Sequence, residues 1–229
     1  MFMNNTKIIY IAGYGRSGST YLEAELSRGN TYSLGEISFF SRFNSERSYL
    51  KPELFLENIR LISEDDYHLF NSRKYDSVFG VLCDRSKYLF SLSNFIRNIK
   101  TEYVIDGSKS TLYAIRRINS YIVCGFDVDI IHLKRSKIEL FKRLLLGKNS
   151  DLETSTKRIA IIRFTQAILG TLHAVITDIL THLCYSNHNN YTVLRTENID
   201  QWLRENGGKY SVGRGKRSYG LGGNRLIRR

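Results

Sequence analysis

Eight residues near the N-terminus, Gly13-Tyr14-Gly15-Arg16-Ser17-Gly18-Ser19-Thr20, bring together glycines, small hydroxyls and one guanidinium. Glycine lets the chain curl until several backbone N–H groups face one hollow. The helix that follows would add its unpaired N–H groups and the positive end of its dipole. That combination holds a phosphate or a sulfate. A second cationic feature is Ile131-His132-Leu133-Lys134-Arg135, an apolar run that ends in arginine. An arginine leaving a strand can grip a phosphate with two parallel hydrogen bonds. His132 alternates to the inside of that run and reads as a packed core histidine. The loop alone supports an anion site after the first strand; the alternative is an ordinary glycine-rich turn with no ligand.

The elements that must position these groups follow from periodicity. The stretch Ile8 to Leu26 begins with an apolar β-branched run and ends in an apolar pattern with helical spacing, so the loop lies between a strand and a helix. Tyr103-Val104-Ile105-Asp106, Asp129 to Lys134 and Tyr191 to Leu194 read as further buried strands, and Val78 to Cys83 as an extended segment. Helices are expected at about Pro52–Ile62, Arg85–Ile99, Leu112–Ser120, Lys137–Leu146 and Thr156–His182, with Pro52 in a first turn and Ser63 capping another helix. On Arg85–Ile99 the core face is Tyr88, Leu89, Leu92, Phe95, Ile96 and Ile99. Strands alternating with helices predict βαβ units and a central parallel sheet. About 39–75 reads as helices inserted on the side where strand C-termini emerge.

With 229 residues and 42% hydrophobic side chains, the chain suits one globular domain over 1–229. No apolar run approaches the roughly 20 residues that cross a bilayer. A cleaved leader would remove the glycine loop and is not expected. Cys83, Cys124 and Cys184 are far apart and lack metal spacing, so each is expected to pack as a small apolar residue in a reducing cytoplasm. The net charge of +12 calls for an anionic partner or a solvated basic tail. No zinc-finger, helix-turn-helix or aromatic RNA-binding motif is visible, so nucleic acid is not the expected partner.

The glycine spacing from Gly13 to Thr20 matches a Walker A loop, but Ser19 stands where that loop has lysine. A charge pair at 4 Å contributes about 4 kcal/mol at an effective dielectric near 20. A hydroxyl hydrogen bond contributes about 0.5–1.5 kcal/mol net. The loop is therefore a poor nucleoside triphosphate site.

Arg16-Ser17-Gly18-Ser19-Thr20 after a first strand resembles the 5′-phosphosulfate loop of the sulfotransferases, which use 3′-phosphoadenosine 5′-phosphosulfate (PAPS). Similar segments continue from Lys7 to Arg225. The resemblance implies a P-loop NTPase-like three-layer α/β sandwich with a central parallel sheet. It implies that Gly15, Arg16, Ser17, Gly18, Ser19 and Thr20 hold the 5′-phosphosulfate, with Arg16 also stabilising the leaving group. Arg135 corresponds to the family's 3′-phosphate arginine. The serine expected eight residues later is Arg143 here, so the second 3′-phosphate ligand is either Arg143 or Ser136, unless Arg143 is only a helix-surface cation. Leu34-Gly35-Glu36 is similar to the Gly-Glu segment of bacterial and glycan sulfotransferases, which makes Glu36 the general base; the alternative is a glutamate capping the next turn. Asp106-Gly107-Ser108-Lys109-Ser110 resembles the family's Asp-Ser-Ser-Lys-Ser segment, which gives Lys109 the bridging oxygen to neutralise. Alternatively, Ser108 and Ser110 simply cap a loop. Leu221-Gly222-Gly223-Asn224-Arg225 resembles the donor loop, so about 207–229 would close over the nucleotide through Gly223 and Asn224. Arg195-Thr196-Glu197-Asn198 reads as structural.

The implied reaction is sulfuryl transfer from PAPS to a hydroxyl of a carbohydrate, glycan or other small acceptor, leaving 3′,5′-ADP, with no metal required. Two other classes fit parts of the pattern. One is a P-loop nucleotide kinase or phosphotransferase, disfavoured by the missing lysine. The other is a non-catalytic basic protein that binds polyanions.

Overall fold

A computed structural model describes residues 6–15, 17–29, 31–35, 37, 68–69, 71–80, 85–109, 112, 114–146, 160–210 and 212–217. Five strands form one parallel sheet: β1 (Lys7–Ala12), β3 (Thr31–Gly35), β4 (Tyr103–Asp106), β5 (Asp127–Lys134) and β6 (Tyr191–Arg195). Their order across the sheet is β3-β4-β1-β5-β6. β1 pairs with β4 on one side and β5 on the other, with Ile9 opposite Ile105 and Ala12 opposite His132. Two short strands, β2 (Arg28–Gly29) and β7 (Val212–Arg217), make a separate antiparallel ribbon.

The alternation of β1 builds two cores. Ile8, Tyr10 and Ala12 point to one face, where Tyr88, Leu92 and Phe95 of α3 (Arg85–Asn98) and Ile118 and Tyr121 of α4 (Arg117–Val123) cover them. Ile9 and Ile11 point to the other face. There Leu22 and Leu26 of α1 (Ser19–Leu26) and Ile199 of α7 (Ile199–Asn206) cover them, with Trp202 and Leu203 alongside. Helices on both faces of a parallel sheet make a three-layer α/β arrangement. The remaining helices are α2 (Ser72–Asp76), α5 (Lys137–Leu146) and α6 (Ala160–Tyr185). The last two pack on each other where α6 is narrow: a Cβ on Gly170 would sit 2.9 Å from Leu144 Cδ1.

Several expectations change. β3 is a full strand, although Thr31-Tyr32-Ser33-Leu34-Gly35 has no apolar run; its Ser33 hydroxyl is instead satisfied by Glu23 of α1. The helix expected at Leu112–Ser120 starts only at Arg117, after a turn closed by Arg117 N–H on Ala114 O. Residues 78–80 form a turn closed by Gly80 N–H on Ser77 O, not a strand. Cys184 is exposed rather than packed, whereas Cys124 is half-buried and donates to Leu89 O. Most of the insert at 39–75, including Pro52–Ile62 and Ser63, lies outside the described residues, as does Cys83. Finally, Ile161–Tyr185 is long and apolar enough to cross a membrane by length and composition. Interspersed Thr, Gln and His residues break its apolar run in the sequence.

Candidate functional site

The parallel arrangement brings the C-terminal ends of all five strands to one edge. β1 sends the chain toward β3 and β4, while β5 sends it toward β6. Neighbouring strands whose connections leave in opposite directions open a crevice, the usual ligand site of an open α/β sheet. The residues just beyond these two strands are Gly13 and Arg135.

The loop after β1 is shaped by two glycines. Gly13 has φ 145°, and a Cβ there would lie 3.0 Å from Leu133 O of β5. Gly18 has φ 96° and forms the N-cap of α1; a Cβ would lie 2.9 Å from the Thr196 methyl group. Both positions require glycine for conformation and for space. Gly18 O accepts from Tyr21 N–H at 3.0 Å and Leu22 N–H at 3.1 Å. No side chain caps this helix start, so the dipole end and the first N–H groups of α1 face the loop. Ser17 is fully buried, and its hydroxyl has no hydrogen-bond partner among the described residues. Ser19 is buried and Thr20 half-buried.

Tyr14 fastens the loop to the strand beside it. Its hydroxyl accepts from Arg135 N–H at 2.8 Å and donates to Arg135 O at 2.9 Å. Lys137 Nζ lies 4.0 Å above the Tyr14 ring and pairs with Asp178 of α6. Asp178 also meets His132 Nε2 at 3.0 Å, and Tyr191 Oη meets His132 Nδ1 at 2.6 Å. His132 is thus a packed histidine, as expected. Burial pushes its pKa down, against the pull of Asp178. Asp178 itself is held below the usual carboxylate range by its His132 and Lys137 hydrogen bonds, which overcome the larger opposing effect of burial. Thr196 closes the crevice from below, with its hydroxyl 2.6 Å from Ser17 O and 3.1 Å from Lys134 O. That is the structural role expected of its segment.

Arg135 and Arg143 are brought together. Arg143 Nη2 lies 2.9 Å from one Glu139 oxygen, and Arg135 Nε lies 3.9 Å from the other. Burial lowers the pKa of Arg135, and the positive charge of Arg143 adds to that effect. Two guanidiniums sharing one carboxylate leave a site where a further anion is favoured.

On the other side of β1, the segments carrying Glu36 and Lys109 are tied together. Gly107 N–H donates to Gly35 O at 2.8 Å, and Ile37 N–H donates to Ser108 Oγ at 3.0 Å. Ser108 N–H in turn donates to Asp106 Oδ1 at 2.8 Å. A Cβ on Gly107 would meet the Glu23 carboxylate, so the serine of the resembled segment would have to displace the end of that side chain. Lys109 follows this turn and is half-buried. Asp106, at the start of this turn, belongs to a buried charge cluster. Arg117 pairs with Asp76 and sits 3.9 Å from Asp106. Tyr121 donates to Asp106 at 2.7 Å, and Ser120 donates to Asp76 at 2.6 Å. Burial raises the Asp106 pKa, with Arg117 opposing.

Arg16, Glu36, Gly223 and Asn224 lie outside the described residues. Part of the segment expected to close over the nucleotide, Val212–Arg217, is β7 of the ribbon, with Gly29 opposite Val212. Sequence reading missed Tyr14, Lys137, Asp178, Glu23 and Arg117 as participants. Only Tyr14 carried a signal, through its place inside the glycine loop. Among the described residues, no group of three or more His, Cys, Asp or Glu side chains converges as metal ligands would. A comparison with protein-family models finds no match to this chain, and a comparison with curated proteins finds none either.

Proposed function

We propose that this chain is a sulfotransferase with a P-loop NTPase-like architecture, moving a sulfuryl group from PAPS to a hydroxyl of a carbohydrate or other small acceptor. The observation that carries the reading is the junction of the Gly13–Thr20 loop with Arg135 through Tyr14. That junction joins the glycine loop after β1 to the exit of β5, which supports one ligand reaching both. The buried Ser17 hydroxyl without a partner and the uncapped start of α1 both fit an anionic group at the loop.

In this reading the donor supplies the sulfuryl group. Glu36 takes the proton of the acceptor hydroxyl as its oxygen attacks sulfur. The bond between sulfur and the bridging phosphate oxygen breaks in line, and Arg16 and Lys109 stabilise the charge left on that oxygen. Arg135 and Arg143 hold the 3′-phosphate, with Glu139 as their counter-ion until the ligand binds. Gly223 and Asn224 would complete the donor site. The tie between Gly35, Ile37 and the 107–108 turn supports pairing Glu36 with Lys109. Both described cysteines are free thiols, which fits a cytoplasmic setting.

The test is release of 3′,5′-ADP from PAPS with a panel of mono- and disaccharide acceptors. Glu36→Gln is expected to slow turnover by roughly 10²–10⁴ while donor binding persists. Magnesium-dependent ATP turnover by a protein that does not bind 3′,5′-ADP would replace this reading with a phosphotransferase.

A further inference from the structure

α6 presents a long apolar face with no partner among the described residues. Ile161, Ile168, Leu172, Ile176, Ile179 and Leu183 follow one another at helical spacing, and all are exposed, from 38% at Ile176 to 75% at Ile161. The opposite side of the helix is anchored. Ala167, Ala174, Thr177 and Thr181 are buried, and Asp178 is held by Lys137 and His132. With the flanking Ile162 and Leu169, the outer face carries eight exposed aliphatic side chains along the helix. A monomer seldom exposes an apolar patch beyond a few hundred Å².

The charge pattern selects the occupant. α6 contains one arginine, one aspartate and no lysine. A helix lying on a membrane surface carries lysine and arginine along its polar flank. A span through the bilayer would carry Asp178 into hydrocarbon and break its pairs with Lys137 and His132. Self-association meets neither obstacle, since a two-fold axis sets the same uncharged stripe against itself.

We propose that this face is the interface of a homodimer, with the two α6 helices antiparallel and crossing near Leu172, midway between Ile161 and Leu183. The inference is independent of the chemistry proposed for the sheet edge. Sedimentation velocity at micromolar concentration is expected to give a dimer for the wild-type chain. Leu172→Glu and Ile168→Glu are expected to give monomers with unchanged circular dichroism. In a Cys184→Ser background, Leu172→Cys is expected to form a disulfide-linked dimer on mild oxidation. Three results would overturn the proposal: a monomeric wild type, a dimer that survives both glutamate substitutions, or a monomer that floats with phosphatidylserine vesicles.

Discussion

Tyr14 Oη is bonded to both backbone groups of Arg135, 2.8 Å from its nitrogen and 2.9 Å from its carbonyl oxygen. Residues 121 positions apart in the chain are thereby locked at the crevice. Tyr14 is almost fully buried, and removing its hydroxyl deletes both hydrogen bonds to Arg135, at about 1–3 kcal/mol together. Tyr14→Phe is expected to lower folding stability by that amount in chemical denaturation. It should also weaken 3′,5′-ADP binding, because the arginine loses its backbone anchor while keeping its charge. Wild-type affinity together with wild-type stability would show that the link does not position Arg135.

The buried cluster of Arg117, Asp76 and Asp106 should behave as a unit. Arg117 is completely buried between Asp76 and Asp106. Removing one partner of a buried ion pair costs about 3–5 kcal/mol, since a charge is left uncompensated. Asp76→Asn is expected to lose stability on that scale, read from the shift in urea midpoint at constant slope. A loss below about 1 kcal/mol would mean that Asp76 does not compensate the buried charge of Arg117.

Acid should loosen the link between α6 and β5. Burial lowers the pKa of His132 below its ordinary 6.5. The unfolded chain then takes up this proton at a higher pH than the folded chain does. Stability from His132 is therefore complete above pH 6.5 and is lost as the pH falls toward the folded value. Asp178, with its pKa also lowered, acts in the same direction at lower pH, where its contribution disappears as the pH falls through its folded value. The thermal midpoint is expected to drop between pH 7 and 5, and His132→Gln should flatten that part of the profile. An equal drop in the variant would assign the acid sensitivity elsewhere.

The sequence made some of this architecture readable and hid the rest, for physical reasons. β1, β4 and β5 are visible because strands buried on both faces are nearly continuous apolar runs, whereas β6, expected to be buried, is an edge strand in which only Leu194 is buried. β3 escaped because its serine and threonine are satisfied by partners: Thr31 donates to Leu26 O, and Ser33 pairs with Glu23. The loop at Gly13 and the arginine at the exit of β5 were legible as local patterns. Their adjacency was not, because it depends on β5 pairing with β1, a contact more than a hundred residues away in the chain. Lys137 and Asp178 meet across 41 residues, a pairing no local pattern announces. The apolar face of α6 was obscured because its stripe is visible only when the residues are wrapped on a helix.

The account turns on one ligand reaching both the loop and Arg135. Calorimetric titration with 3′,5′-ADP, comparing the wild-type chain with Arg135→Ala, measures that most directly. Binding is expected in the wild type and at least about tenfold weaker in the variant, equivalent to about 1.4 kcal/mol. Absence of wild-type binding, or equal affinity in both proteins, would contradict it.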